Sequence, residues 1–295
     1  MTATHRAGYV AIVGRPNVGK STLLNRLVGM KISIVSRRAQ TTRHRILGIV
    51  DEPDAQLLLV DTPGYQIAQG GALNRLMNRS VIASLQDVDV VVLVVEAGKL
   101  TPQDMQVVKL LPKGKPVVLA VNKIDRLKDP AALLPLIDRA RGLYDFSDIV
   151  PISAQDGTQL HHLVKAVKQY LPEGPALYDP ETVTDRSERF LAAELLREKL
   201  FHALGEELPY AATVMIDRFE LEGSLRRIHA SIVVDKPGHK AIVIGSRGEA
   251  LKAIASRARK DMEQLFGGKV FLEVWVRVRR GWSDDVKALH SLGYD

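Results

Sequence analysis

Tyr9-Val-Ala-Ile-Val-Gly-Arg-Pro-Asn-Val-Gly-Lys-Ser-Thr-Leu-Leu-Asn-Arg-Leu-Val28 runs from an apolar, β-branched segment through two glycines into an amphipathic helical pattern. Residues 14–21 fit Gly-x4-Gly-Lys-Ser, and a strand before and a helix after are the setting that the pattern requires. Across Gly14, Arg15, Pro16, Asn17, Val18 and Gly19 the backbone can curl so that several N–H groups point inward around phosphate oxygens. Lys20 then brings a mobile positive charge to the terminal phosphates, and Ser21 offers a hydroxyl to Mg²⁺.

The rest of the first half supports an α/β domain. Apolar runs at Tyr9–Val13, Gln56–Val60, Val90–Val95, Pro116–Val121 and Ile149–Ile152 alternate with helical patterns near 19–29, 73–86, 101–111, 131–143 and 157–170. Such alternation predicts a mostly parallel sheet with helices on both faces. The periodicity breaks in Leu171-Pro-Glu-Gly-Pro-Ala-Leu-Tyr-Asp-Pro180, so residues 1–171 are expected to form one domain and 172–184 a linker. Residues 185–295 follow a different order: helix near 185–204, strands at 211–219 and 226–234, a glycine loop, helix at 249–266 and strand at 270–279. That order predicts a smaller α+β domain. In the last strand Val270, Leu272, Val274, Val276 and Val278 share one face, with Glu273, Arg277 and Arg279 on the other.

Further strand ends carry chemistry. Val60-Asp-Thr-Pro-Gly64 places Asp61 where a carboxylate can hold a magnesium shell, followed by Thr62, Pro63 and Gly64, whose amide can bond a terminal phosphate. Asn122-Lys-Ile-Asp125 ends a later strand. The Asp125 carboxylate can accept both N1–H and N2–H of guanine, a donor pair that adenine lacks, so the site should reject ATP. Ser153-Ala154 stands where a backbone contact to the guanine oxygen is expected. These motifs resemble those of the Ras-like, translation-factor-type GTPases, whose ligand lies beyond the carboxyl ends of the strands. By that resemblance a first switch falls within Lys31–Arg45. Its Gln40-Thr-Thr-Arg-His44 offers Thr42 or Thr41 to Mg²⁺, Thr42 being preferred because it directly precedes the arginine, as in related families. Catalysis would then rest on Lys20, Thr42, Gly64 and Asn17, and the metal on Ser21, Thr42 and Asp61. Tyr65 stands where Ras-like enzymes carry a water-orienting glutamine, which implies slow intrinsic turnover, in or near about 10⁻⁴ to 10⁻² s⁻¹. Asn17 matches the asparagine with which several members of a related class, with a hydrophobic residue at that position, hold a potassium ion. Plain P-loop hydrogen bonding is the competing role for it.

Ile242-Val-Ile-Gly-Ser-Arg-Gly-Glu-Ala-Leu251 contains a second glycine turn that lacks the Lys-Ser pair. Gly245-Ser246-Arg247-Gly248 precedes a helix whose buried stripe is Leu251, Ile254, Ala258, Met262 and Leu265. In its α+β setting it resembles a type II KH domain, whose Gly-x-x-Gly loop clamps the backbone of about four single-stranded nucleotides. Lys252 and Arg259, seven apart, are expected on one exposed stripe where they can neutralise phosphates. Trp275 and Trp282 read as packing or edge residues, His161-His162 begin a surface helix without metal-ligand spacing, and residues 282–291 read as a capped terminal helix.

Composition bounds these readings. The 295 residues carry a net charge of +7, and residues 231–280 hold eleven Lys or Arg against five Asp or Glu, so the surplus gathers around the second loop and suggests a polyanionic partner. The absence of cysteine excludes disulfides and thiolate metal sites. No signal-peptide pattern opens the chain and no apolar run reaches a membrane span, which excludes an integral membrane protein. The single GTPase pattern, Gln-Thr-Thr-Arg-His, Thr184-Asp-Arg-Ser-Glu-Arg-Phe190, Glu207-Leu-Pro-Tyr210, Gly-Ser-Arg-Gly and Gly281-Trp-Ser-Asp-Asp285 together resemble the Era family of bacterial GTPases, within the TrmE-Era-EngA-like class, along nearly the whole chain. The resemblance implies GTP and GDP as ligands, binding near the 3′ end of 16S ribosomal RNA, and assistance in processing and assembly of the small (30S) subunit. It also implies a cytoplasmic, monomeric protein in peripheral contact with the inner face of the plasma membrane. A GTP-gated RNA chaperone is the expected mechanism, and a GTP-dependent scaffold in which hydrolysis is incidental is the alternative.

Overall fold

The structure is a computed structural model that describes residues 5–36, 41–66, 70–205 and 208–294. Two compact units emerge. One comprises Met1–Ser33, Thr42–Gln69 and Met77–Asp185; the other comprises Ile34–Thr41, Gly70–Leu76 and Arg186–Asp295.

The elements from the N-terminus to residue 168 are β1 (Arg6–Val13), α1 (Lys20–Val28), β2 (Ile46–Glu52), β3 (Ala55–Asp61), α2 (Ala72–Gln86), β4 (Val90–Glu96), α3 (Pro102–Val108), β5 (Val117–Asn122), α4 (Leu133–Arg141), β6 (Asp148–Pro151) and α5 (Leu160–Lys168). The sheet order is β2-β3-β1-β4-β5-β6, with β2 antiparallel to β3 and every other pairing parallel. Parallel strands covered on both faces read as continuous apolar runs, and Val90–Val95 is buried throughout. On one face Val81 and Leu85 of α2, Val107 of α3 and Leu136 of α4 pack on Ala11, Val13, Leu93 and Leu119. On the other, Leu23 of α1 and Leu163 and Val167 of α5 meet Ile12, Leu57, Leu59 and Val92. Register sets Ile12 beside Asp61 and Glu96 beside Asn122, so the carboxyl ends of β1, β3, β4 and β5 finish together.

Strand β2 was not expected. It is an edge strand that contains Gly48 and begins four residues after Thr42, and it forms a hairpin with β3 through the turn after Glu52. The proline-rich segment read as a linker lies along this edge. Ile49 N donates to Val183 O at 3.0 Å, and the Thr184 hydroxyl donates to Leu47 O. Gln56, fully buried, donates to Asp51 and to Tyr178 O and accepts from the amides of Leu177 and Tyr178. Covering an edge in this way removes its open pairing groups from solvent.

Beyond residue 185 come α6 (Glu188–Ala203), β7 (Ala212–Glu222), β8 (Leu225–Val234), α7 (Pro237–Ile244), α8 (Glu249–Phe266), β9 (Val270–Val278) and α9 (Val286–Ser291). The sheet order is β7-β8-β9, antiparallel then parallel. Ile228, Ala230, Ile232 and Val234 of β8 pack against Leu195, Leu196 and Leu200 of α6 and Ile254, Ala258 and Met262 of α8. The structure corrects the expected order, because Ile242-Val-Ile244 belongs to the last turn of a helix. Pro237 opens α7 at a position where a missing N–H costs nothing, and Lys240 N donates to Lys236 O at 3.2 Å and Gly245 N to Ala241 O at 2.9 Å, the i→i−4 bonding of a helix. Trp282 is fully buried, donates to Ala211 O and stacks on Tyr294, whereas Trp275 is a half-exposed edge residue stacked on His229. Val278, expected on the packed face, is exposed at the end of β9.

Candidate nucleotide site and glycine loop

The phosphate-gripping turn connects β1 to α1 with Asn17 and Gly19 in the left-handed region. Lys20 is buried, and its ammonium donates to the carbonyls of Gly14 at 3.0 Å and Arg15 at 3.1 Å. Ser21 Oγ donates to Asp61 Oδ2 at 2.7 Å and lies 2.8 Å from Thr42 Oγ1. Of the two candidate threonines, Thr42 therefore stands beside Ser21 and Asp61. Asp61 Oδ1 is buried with no hydrogen-bond partner among the described residues. Burial pushes the Asp61 carboxyl up, against the pull of Lys20 and the hydroxyls around it. Gln40, the first residue of the quoted switch stretch, lies outside the described residues.

After Asp61 the chain turns over the phosphate loop. Thr62 donates to Ile12 O, and a Cβ on Gly64 would come within 2.8 Å of Pro16, so only glycine lets the two loops approach this closely. Pro63 is buried, and Tyr65 packs partly into the core beside α2. Asn78 of α2 holds the following backbone, donating to Gln66 O and accepting from Gln66 N.

Asn122 joins three motifs. Its amide donates to Val18 O at 2.8 Å, and its carbonyl oxygen accepts from Ala154 N at 2.9 Å. Lys123 donates to Asn17 O at 2.7 Å and pairs with Glu96 at 3.3 Å. Ser153 Oγ donates to Asp125 Oδ1 at 2.7 Å, leaving the exposed Asp125 carboxylate with capacity for a further donor pair. The eighteen sequence-predicted nucleotide-site residues lie on these loops or, for Lys20, Ser21, Asp61 and Asn122, at the ends of the elements that the loops join.

Two carboxylates that the motifs do not contain, Glu96 and Asp104, support the site. Arg15 is buried between Glu96 at 2.9 Å and Asp104 at 3.1 Å. Asp104 also forms the capping box of α3 with Thr101, a pattern visible in Thr101-Pro-Gln-Asp104. Burial raises the Glu96 carboxyl, but the hydrogen bond from Arg15 and the charge of Lys123 outweigh it and leave Glu96 below its ordinary value. Lys123 is lowered by burial, partly offset by Glu96.

In the other unit Gly245–Gly248 links α7 to α8. Gly245 has φ 72° and ψ −178°, and a Cβ there would meet Ala250 at 2.6 Å, so glycine is required. Ser246 and Arg247 are exposed at the tip, Arg247 at φ 50°. Lys252 is exposed on α8. Arg259 is half-buried and pairs with Glu263 at 2.7 Å, so the two do not share one free stripe, and Arg257 and Lys260 are the further exposed cations of this helix.

The description of a 50S ribosome-binding GTPase family fits residues 9–123, and that of a KH domain fits residues 207–283. GTPase Era of Nitrosomonas eutropha is 55% identical over 291 residues, covering 99% of this chain and 98% of that protein. GTPase Era of Stenotrophomonas maltophilia strain R551-3 is 56% identical, covering 99% and 98%. An Aquifex aeolicus Era variant crystallised with GDP·AlF4⁻ matches with a TM-score of 0.95 at 39% identity, over 98% of this chain and 99% of that one. A crystal structure of Era with MgGDPNP and nucleotides 1506–1542 of 16S ribosomal RNA matches with the same TM-score, identity and coverage. Fold and site together define a P-loop GTPase domain followed by a type II KH domain. The chain belongs to the Era family of GTPases.

The burial of Lys20 predicts a pH dependence of nucleotide binding. Burial pushes its ammonium down to about 8, with Asp61 opposing and Arg15 adding to the effect. Phosphate oxygens beside it favour the charged form and raise the value again. Below about pH 8 Lys20 is already protonated and affinity is flat; above it, binding takes up a proton and affinity falls by up to about tenfold per pH unit. Calorimetric GDP titrations at about pH 7 and about pH 8.5, in buffers of different ionisation enthalpy, should show proton uptake only at the higher pH.

Proposed function

We propose that this chain is a slow GTPase that binds the 3′ region of 16S ribosomal RNA through its KH domain and assists processing and assembly of the small subunit, the triphosphate state gating RNA binding. The observation that carries the reading is the convergence of Lys20, Ser21, Thr42 and Asp61 in one unit. A buried carboxylate oxygen without a donor, flanked by two hydroxyls, is a hard-oxygen set suited to magnesium. Ser21, Thr42 and Asp61 would hold the ion, which when bound supplies positive charge to the phosphate oxygens.

The remaining roles belong to the chain itself. Gly14 to Ser21 wrap the phosphates, with Lys20 turning from its loop carbonyls to the terminal oxygens. Thr42 and the Gly64 amide respond to the third phosphate, and Tyr65 leaves the attacking water without a glutamine. Asp125 reads guanine, Ser153 and Asn122 hold the base loops in place, and Ala154 and Lys123 complete the base site. Asn17 would hold a potassium ion, which when bound would supply the charge that an arginine finger gives elsewhere. Gly245, Ser246, Arg247 and Gly248 clamp the RNA backbone with Lys252 and Arg259 behind them. The solved relative that carries MgGDPNP and 16S nucleotides supports the partner assignment. The functional boundaries are taken at 1–171, 172–184 and 185–295. The protein acts as a cytoplasmic monomer with peripheral contact at the inner membrane face; among the described residues no helix is long and apolar enough to cross a membrane.

Two measurements test this. Replacing Ser246 and Arg247 by aspartates should weaken binding of a 16S 3′ fragment by about a hundredfold or more while GTP turnover of the free protein is retained; equal RNA affinity in the GTP-analogue and GDP forms would refute gating. Turnover should be faster in potassium chloride than in sodium chloride, and equal rates would remove the assigned role of Asn17.

A further inference from the structure

Ser33 is buried at 1% exposure, and its hydroxyl donates to Asp61 Oδ2 at 2.9 Å. Ser21 donates to the same oxygen at 2.7 Å. Two donors converging on Oδ2 fix the plane of the carboxylate and leave Oδ1 bare. The position of Ser33 is itself set from α1. Asn25 Oδ1 accepts from the amides of Ile32 at 3.0 Å and Ser33 at 2.9 Å, and Asn25 Nδ2 donates to Ser33 O at 2.6 Å. Those three bonds already satisfy the local backbone. The Ser33 hydroxyl is not needed for them and is spent on Asp61. The helix that carries Lys20 and Ser21 at its start thus also places, five residues further on, the clamp for this second donor.

We propose that Ser33 is a positioning residue for magnesium: its hydroxyl locks the Asp61 carboxylate so that Oδ1 faces the ion, and Asn25 holds Ser33 in place. The inference rests on the reading of Asp61 as part of the magnesium site. Ser33→Ala removes one charge-assisted hydrogen bond to a carboxylate that can then rotate, so magnesium binding weakens while contacts to the guanine nucleotide remain.

The test is the rate of GDP release from the full chain across a range of free Mg²⁺, down to chelator alone. For the wild type, release should slow as Mg²⁺ is added. For Ser33→Ala the midpoint should move to about tenfold higher Mg²⁺, the loss expected for one hydrogen bond to a charged group, with the release rate in chelator unchanged. Ser33→Cys keeps the packing with a weaker donor and should shift the midpoint in the same direction with unchanged thermal unfolding. A wild-type midpoint in both variants would overturn the proposal. So would faster release by one constant factor at every Mg²⁺ level, which marks a structural defect only. If wild-type release ignores Mg²⁺, the magnesium reading itself fails, and this inference with it.

Discussion

The nucleotide site depends on one side chain that ties its loops to each other. Asn122, buried at the end of β5, spends its amide on Val18 of the phosphate loop and its carbonyl on Ala154 of the last loop. Both partners are buried backbone groups whose loss of pairing costs about 1–3 kcal/mol each. Strand register brings Asn122 there, since β5 lies between β4 and β6 and Glu96 pairs directly opposite it. Phosphate grip and base grip are thereby parts of one hydrogen-bonded body.

Charge reinforces the same union. Arg15 from the phosphate loop and Lys123 from the base loop converge on Glu96, and Asp104 holds Arg15 from the N-terminus of α3. Three cations close to where a triphosphate would lie are thus matched by carboxylates or, for Lys20, by loop carbonyls. Removing one partner of such a buried pair leaves an uncompensated charge and is more damaging than the worth of the pair suggests.

Much of this was legible in the sequence, because phosphate and guanine chemistry demand particular residue types at fixed places. Glycines, Lys20, Ser21, Asp61 and Asp125 stand out from local pattern alone, and the fold brings Ser21 onto Asp61 and Ser153 onto Asp125. Parallel strands buried on both faces announced themselves as apolar runs. What escaped depends on partners distant in the chain: Arg15 finds Glu96 and Asp104 some eighty or ninety positions away, and Ser33 matters only because the fold brings it under Asp61. Strand β2 carries Gly48 and lies on an edge, so its pattern was weak. Helix α7 was hidden because Ile242-Val-Ile244 is apolar at consecutive positions, a run that suits a strand as well as a helix end; its helical sense shows in the bond from Gly245 N back to Ala241 O. Arg259 looked free by spacing, yet Glu263 one turn on takes it up.

The glycine loop of the second unit shows the same economy, with a backbone turn that requires Gly245 and a solvent-facing Arg247 between two helices. Whether the first unit works as a single body is decided by Asn122→Ala. Affinities for GDP and for ADP are the quantities to measure, since ADP reports the phosphate grip without the guanine contacts. A shared hinge predicts that both fall, GDP by about a hundredfold from two unpaired backbone groups, with ADP weakened alongside it. Unchanged ADP binding together with lost GDP binding would show that Asn122 serves the base loops alone and would contradict the union on which this structure is argued to depend.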